Sequence, residues 1–213
     1  MADPADDTSL RLQRALAGDE SALAALFDGY RERLRRMIRL RLDRRLSGRV
    51  ASSDILQEAY LDVRKRLTEY ARDPAAMPFH LWLRLIAGQK LTDVHRSHLG
   101  AQIRDAGQEV SLHRGPFPRA SSISLAAQLL GKMTSASKAA IRAEHKLIVQ
   151  ETLNGMDPID REVLALRHFE HLSNDETAQV LGLTKSAASN RYIRALKRLK
   201  EILSSIPGLR EQL

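Results

Sequence analysis

The residues with the clearest chemical potential lie together near the C-terminal end, in "LGLTKSAASNRYIRALKRLK" (181–200). From Lys185 to Lys200 this stretch holds six basic side chains and no acidic one. Ala188, Tyr192, Ala195, Leu196, Leu199 and Leu203 form an apolar series at helical spacing. The opposite face then presents Lys185, Ser186, Ser189, Asn190, Ile193 and Arg194. Serine and asparagine hydrogen-bond the edges of bases, and arginine binds guanine or phosphate. Lys197, Arg198 and Lys200, further along, suit phosphates, whose contacts position a protein on a duplex without reading its sequence. The alternative is a solvated basic face on an ordinary bundle helix.

The residues upstream of this helix favour the first reading. In "SNDETAQVLG", Ser173 is followed three residues later by Glu176, the pattern of a capping box. Gly182 supplies a left-handed turn, and Thr184 can cap the next helix. A short helix, a glycine turn and a longer basic helix make a helix-turn-helix, whose second helix enters the major groove. Further upstream, "DPIDREVLALRHFEHLS" begins with Asp157 as cap and Pro158 at the first helical position.

The elements that must carry these residues form two helical blocks. The first, residues 9–98, contains "SLRLQRALAGDESALAALFDGYRERLRRMIRLRL", with Leu23, Leu26, Phe27, Tyr30, Leu34 and Ile38 at helical spacing. Gly18-Asp19 breaks this run, and Asp19 can cap the helix after the break. "SDILQEAYLDVRKRLTEY" places Ile55, Leu56, Ala59, Val63 and Leu67 near one face. "ARDPAAMP" is a loop, because Pro74 and Pro78 disfavour helix in the residues before them. "FHLWLRLIAGQKLTDVHRSH" is a further helix, with Leu81, Trp82, Leu85, Ile86 and Val94 as core candidates. Residues 99–138 read as a linker, since "EVSLHRGPFPRASSIS" is rich in proline and serine, although "LAAQLLGKM" can form a short helix within it. The second block covers residues 139–206. The expected fold class is all-α, with two helical domains joined by this linker.

Composition narrows the function. Of 213 residues, 4% are aromatic, which suits aliphatic helix packing. The net charge of +8 and pI near 10.1 attract polyanions, with nucleic acid the foremost class. No apolar span or lipidation motif supports membrane insertion. The absence of cysteine excludes disulfides and thiolate metal sites and fits a reducing cytoplasm. "RERLRRMIRLRLDRRLSGR" sets nine arginines against two acids, a surface for phosphate or protein, or solubility charge. His95/His98 and His168/His171 have the i, i+3 spacing of metal ligands, but no third ligand accompanies either pair, and solvated histidines are expected. No Walker loop, nucleophile elbow or carboxylate cluster marks an enzyme, so no cofactor and no metal is expected.

At this point the chain resembles the bacterial RNA polymerase sigma factors of the extracytoplasmic-function (ECF) group. "LSNDETAQVLGLTKSAASNRYIRALKRLK" resembles region 4, "SSDILQEAYLDV" region 2.2, and "FHLWLRLIAGQKLTDVHR" regions 2.3 and 2.4. The resemblance implies a transcription initiation factor that brings core RNA polymerase to promoters. Region 2 would recognise and melt the minus-ten element, and region 4 would read the minus-thirty-five element through Lys185, Ser186, Ser189, Asn190, Ile193, Arg194 and Lys197. It implies a polymerase-docking face of Asp54, Gln57, Glu58, Leu61 and Arg64. It implies minus-ten contacts from Tyr70, Arg72, Phe79, His80, Arg84 and Gln89, with Met77 in the same loop; Trp82 could stack on a base, but its register with Leu85 and Ile86 favours the core. An anti-sigma factor is a further partner that the resemblance admits.

Two departures matter. Where the family has acidic residues before the region 2.2 aspartate, this chain has Ala51, Ser52 and Ser53, and Gln89 replaces a common asparagine. Ser52 and Ser53 are therefore candidate phosphorylation sites for a Ser/Thr kinase, since a phosphate would restore about −1.5 to −2 charges. The simpler alternative is that one serine is a helix N-cap. The rivals to the whole reading are a stand-alone helix-turn-helix regulator using only the second block, and a nucleic-acid-processing enzyme.

Overall fold

A computed structural model describes residues 4–46, 48–106, 118–131 and 139–205. All its regular elements are helical among these residues. The chain divides into two compact units, residues 1–118 and 119–213.

The first unit contains α1 (Pro4–Leu16), α2 (Glu20–Arg41), α3 (Ser52–Tyr70) and α4 (Phe79–Ala106). Gly18, at φ 95°, turns the chain out of α1, and the Asp19 carboxylate accepts from the Ala22 N–H to start α2. The Ser21 hydroxyl, the Ala22 N–H and the Arg14 guanidinium, all donating to it, hold this half-buried carboxyl far below its ordinary range. The apolar stripes of the four helices meet in one core. Phe27, Ile38, Leu56, Val63, Leu83, Ile86 and Leu91 are at most 1% exposed there.

An aromatic group closes one end of this core. The Tyr70 ring lies 4.8 Å from Trp82 and 5.3 Å from Phe79, and its hydroxyl donates to the Met77 carbonyl at 3.2 Å. Tyr70 thereby ties the 71–78 loop onto the end of α3. Trp82 sits in the core, as its register with Ile86 indicates.

The second unit contains α5 (Ser122–Gly131), α6 (Ala139–Asn154), α7 (Pro158–Leu164), α8 (Asn174–Leu181) and α9 (Lys185–Ser205). The stretch expected as a linker carries more structure than its serines and prolines suggest. α4 continues to Ala106, and α5 packs on α6 through Leu125, Ala126, Leu129 and Leu130. The chain before α5 is fastened too, since the Ala120 N–H donates to the buried Glu162 carboxylate at 2.7 Å. The rest of that stretch, 107–117 and 132–138, lies outside the described residues.

α7 passes directly into a π-helical turn, Ala165–Phe169. His171 comes two residues later at φ 56°, a left-handed backbone unusual for a residue with a Cβ. The turn buries Leu166 and Phe169 and leaves Arg167 over the Tyr192 ring of α9 at 5.0 Å. Ala188 and Ala195 are 0% and 1% exposed, so two small side chains let α9 lie close against its neighbours.

Candidate nucleic-acid interface

The helix-turn-helix is built from local contacts. The Ser173 hydroxyl accepts from the Glu176 N–H, and the Glu176 carboxylate accepts from the Ser173 N–H at 2.7 Å. Gly182 ends α8 at φ 63°, ψ 35°. The Thr184 hydroxyl then accepts from the Ala187 N–H at 3.1 Å to open α9. The Asn174 side chain crosses the turn and donates to the Lys185 carbonyl, tying the start of α8 to the start of α9.

α9 buries Ala188, Ala195, Leu199 and Leu203 and turns Ser186, Asn190, Ile193, Lys197 and Lys200 outward. Those five recur three or four positions apart and therefore share one face. Ile193 is 57% exposed, an apolar side chain in the middle of a polar and basic strip. Ser189 is half-buried at its edge.

Two of the expected cations are already engaged. Lys185 Nζ lies 2.5 Å from Asp175 of α8. Arg194 binds Asp160 of α7 side-on, Nε to Oδ2 at 2.6 Å and Nη2 to Oδ1 at 2.9 Å. Arg191 donates to the same carboxylate at 2.6 Å and reaches Asp157 at 3.3 Å. The two guanidiniums, Arg194 foremost, hold the Asp160 carboxyl below its usual range against the opposing effect of burial. Nothing in the local sequence distinguishes Asp160 as a partner of α9; the pair is 34 residues apart.

The first unit presents a second outward face, on α3. Asp54, Gln57, Glu58 and Leu61 are exposed one helical turn after another, with Leu61 51% exposed. Lys65 continues this strip, whereas Arg64 lies at its side and pairs with Glu20 at the start of α2. Lys90 of α4 sits 2.8 Å from Asp62 and 3.8 Å from Glu58. The cap of α3 is Ala51, which offers no side-chain acceptor, so neither Ser52 nor Ser53 serves as N-cap. Both serines are half-buried in the first turn, and the Ser53 hydroxyl lies 3.3 Å from Asp54.

The residues expected to touch the minus-ten element separate into two groups. Tyr70, Phe79 and Arg84 are 7%, 6% and 5% exposed, so their side chains build the interior instead of a contact surface. The reason is register: helical spacing turns them inward, and Tyr70 and Phe79 also pack in the aromatic group. Arg72 is exposed in the 71–78 loop. His80 is half-buried and stacks on Tyr30 at 6.1 Å, and half-buried Gln89 accepts from Arg66 Nη1 at 2.7 Å.

The histidines also differ from expectation in one case. His95 is buried and its Nε2 accepts from the Asp43 N–H at 3.2 Å, which pins the chain after α2 onto α4; His98, His168 and His171 are exposed. Among the described residues there is no cluster of three metal-ligating side chains, and no helix is long and apolar enough to cross a membrane.

The first unit thus carries an exposed polar strip on α3, and the second contains a capped helix-turn-helix. Residues 146–199 match the family model "Sigma-70, region 4", which covers α7, α8 and most of α6 and α9. The chain is 29% identical over 187 residues to the ECF RNA polymerase sigma factor SigD of Mycobacterium tuberculosis, covering 88% of this chain and 79% of that one. It is 25% identical over 206 residues to the ECF sigma factor BldN of Streptomyces coelicolor, covering 93% and 68%. Among known structures, it shares its fold with CnrH, determined in complex with the cytosolic domain of CnrY (TM-score 0.56, 22% identity, 93% and 98% covered). Along most of its length the chain is similar to RNA polymerase sigma factors of the ECF group, and the reading these relatives support is a promoter-directing transcription initiation factor.

Proposed function

We propose that the chain works through two outward faces, one in each unit. The α3 strip of Asp54, Gln57, Glu58 and Leu61, with Arg64 beside it, docks on core RNA polymerase. The α9 strip of Ser186, Asn190, Ile193 and Lys197, flanked by Lys185, Ser189 and Arg194, reads the minus-thirty-five element. The observation that carries this is the composition of the two strips. Each holds one exposed large aliphatic residue, Leu61 or Ile193, amid polar and charged neighbours, a combination that suits contact with a partner.

Melting of the minus-ten element falls to the α3–α4 loop and the start of α4. Arg72 supplies a cation there, and His80 and Gln89 lie on the helix after it. Taking a base out of the stack costs a few kcal/mol, which contacts to the extruded base must offset. Tyr70 and Phe79 serve as the rigid floor beneath this loop.

The linker expected from the sequence between the two helical blocks sets how far apart the two promoter elements are engaged. The chain is not itself catalytic; bond formation belongs to the polymerase, and the protein works in the cytoplasm. CnrH was determined in complex with the cytosolic domain of CnrY, and an anti-sigma factor is a further partner for this chain. A Ser/Thr kinase acting on Ser52 or Ser53 would add negative charge to that of Asp54 in the first turn of α3.

The test is core polymerase capture. The full chain should co-purify with core RNA polymerase, and Asp54→Lys or Glu58→Lys should abolish this while helical content stays intact. Retention of core binding by both variants would remove the α3 assignment.

A further inference from the structure

Arg194 lies between the outward strip of α9 and the buried side of the helix, four residues after Asn190 and three before Lys197. Its side chain is 61% exposed, while its carboxylate partner Asp160 is 7% exposed. Asp160 is itself fixed. It occupies the third position of α7, after Pro158, and its N–H points at the capping Asp157 carboxylate. The carboxylate engages Nε and Nη2 of Arg194, so Nη1 takes no part in the pair. Arg191 holds the same carboxylate from one turn earlier on α9.

A free arginine on a helix surface samples many rotamers and is drawn to whichever phosphate is nearest. A side-on carboxylate removes that freedom before DNA arrives and offsets the charge that would lead the side chain to the backbone. Arg191 and Arg194 together with Asp157 and Asp160 amount to two cations and two anions. The attraction for phosphate then comes from the outward lysines, and what remains at Arg194 is a directed donor.

We propose that Asp160 is a positioning residue for DNA reading: it holds Arg194 side-on so that Nη1 is aimed at a base edge instead of a phosphate. The proposal rests on α9 being the recognition helix. It predicts that sequence discrimination and non-specific affinity move in opposite directions when the carboxylate is removed, which simple loss of folding cannot produce.

The experiment uses holoenzyme reconstituted from the full chain and core RNA polymerase. It is incubated with a duplex pool randomised at the upstream element, bound DNA is sequenced, and affinity for a single random-sequence duplex is measured across a salt series. Asp160→Asn should lower discrimination at one base pair by about tenfold, the scale of one good base contact. It should also raise affinity for the random duplex and steepen its salt dependence by about one unit, because Arg194 is released to a phosphate. Arg194→Lys should lose the same discrimination, since an ammonium cannot be held side-on, and this variant decides the matter if Asp160→Asn does not fold. Unchanged discrimination in Arg194→Lys, or a proportional loss of specific and random binding in folded Asp160→Asn, would overturn the proposal. Asn190→Ala and Lys197→Ala separate the levels. If they weaken binding while Asp160 and Arg194 variants leave discrimination intact, only the positioning role fails; if neither weakens binding, α9 is not the reading helix.

Discussion

Replacing Lys197 by alanine isolates the electrostatic part of DNA binding. The side chain is exposed on the outward strip, between Ile193 and Lys200, and stands outside the Asp160 cluster that engages Arg191 and Arg194. Its removal should change stability by no more than about 0.5 kcal/mol, as for other surface substitutions away from caps and cores. If Lys197 neutralises one phosphate, log K should depend on log salt less steeply by about 0.9. Raising salt from about 50 to about 200 mM then shrinks the variant's deficit relative to the parent by a factor of about 3.5. The same deficit should appear on every duplex sequence. The assay is anisotropy of labelled upstream duplexes with holoenzyme, parent and variant side by side at each salt, so that salt effects on assembly cancel in the ratio. A deficit that is constant with salt, or confined to one sequence, would refute the assignment of Lys197 to the backbone.

Charge reversal at Asp54 or Glu58 should abolish polymerase capture with a stability change of about 1 kcal/mol or less, because Glu58 is 59% exposed and only 3.8 Å from its Lys90 partner; calorimetry and co-purification check the two halves. Ser52→Asp and Ser53→Asp should strengthen core affinity over the unmodified chain, and the alanine forms should not, as measured by titration of labelled core; equal affinity in all forms would exclude a charge switch at the start of α3. Asp160 is depressed below its ordinary value chiefly by Arg194, so its contribution to stability is full above about pH 4 and is lost as pH falls through the lowered folded value; urea midpoints of Asp160→Asn should therefore fall less than those of the parent on that acid limb. Leu56→Ala, at a position 0% exposed, should cost about 2–5 kcal/mol in urea unfolding of the full chain without altering the α9 strip.

Local chemistry made much of this fold legible. Asp19, Asp157 and Thr184 are caps, Ser173 and Glu176 form the capping box, and Gly182 takes the left-handed turn, because each depends on residues within three positions. The buried stripe of α9 came from its spacing for the same reason. Long-range pairings were not legible. Asp160 meets Arg194, Ala120 meets Glu162 and Asp43 meets His95 across 34, 42 and 52 residues, and no local pattern announces them. The minus-ten set shows a different failure. Family position pointed to Tyr70, Phe79 and Arg84, but all three are buried, Tyr70 and Phe79 within the aromatic cluster, because helix register sets side-chain direction. α5 was legible as the short helix of "LAAQLLGKM", but its packing on α6 across the stretch read as a linker was not. The π turn at Ala165–Phe169 likewise has no signature in its residue types.

As a promoter-directing factor, this chain supplies promoter choice to a polymerase that lacks it. The direct measurement is run-off transcription by purified core RNA polymerase on a promoter that core alone ignores, with and without the full chain. Specific transcripts are expected only when the chain is present, and should be lost with Asp54→Lys and with Asn190→Ala plus Lys197→Ala. Tight, sequence-specific binding of the chain alone to that promoter, with no core-dependent transcript, would contradict this role.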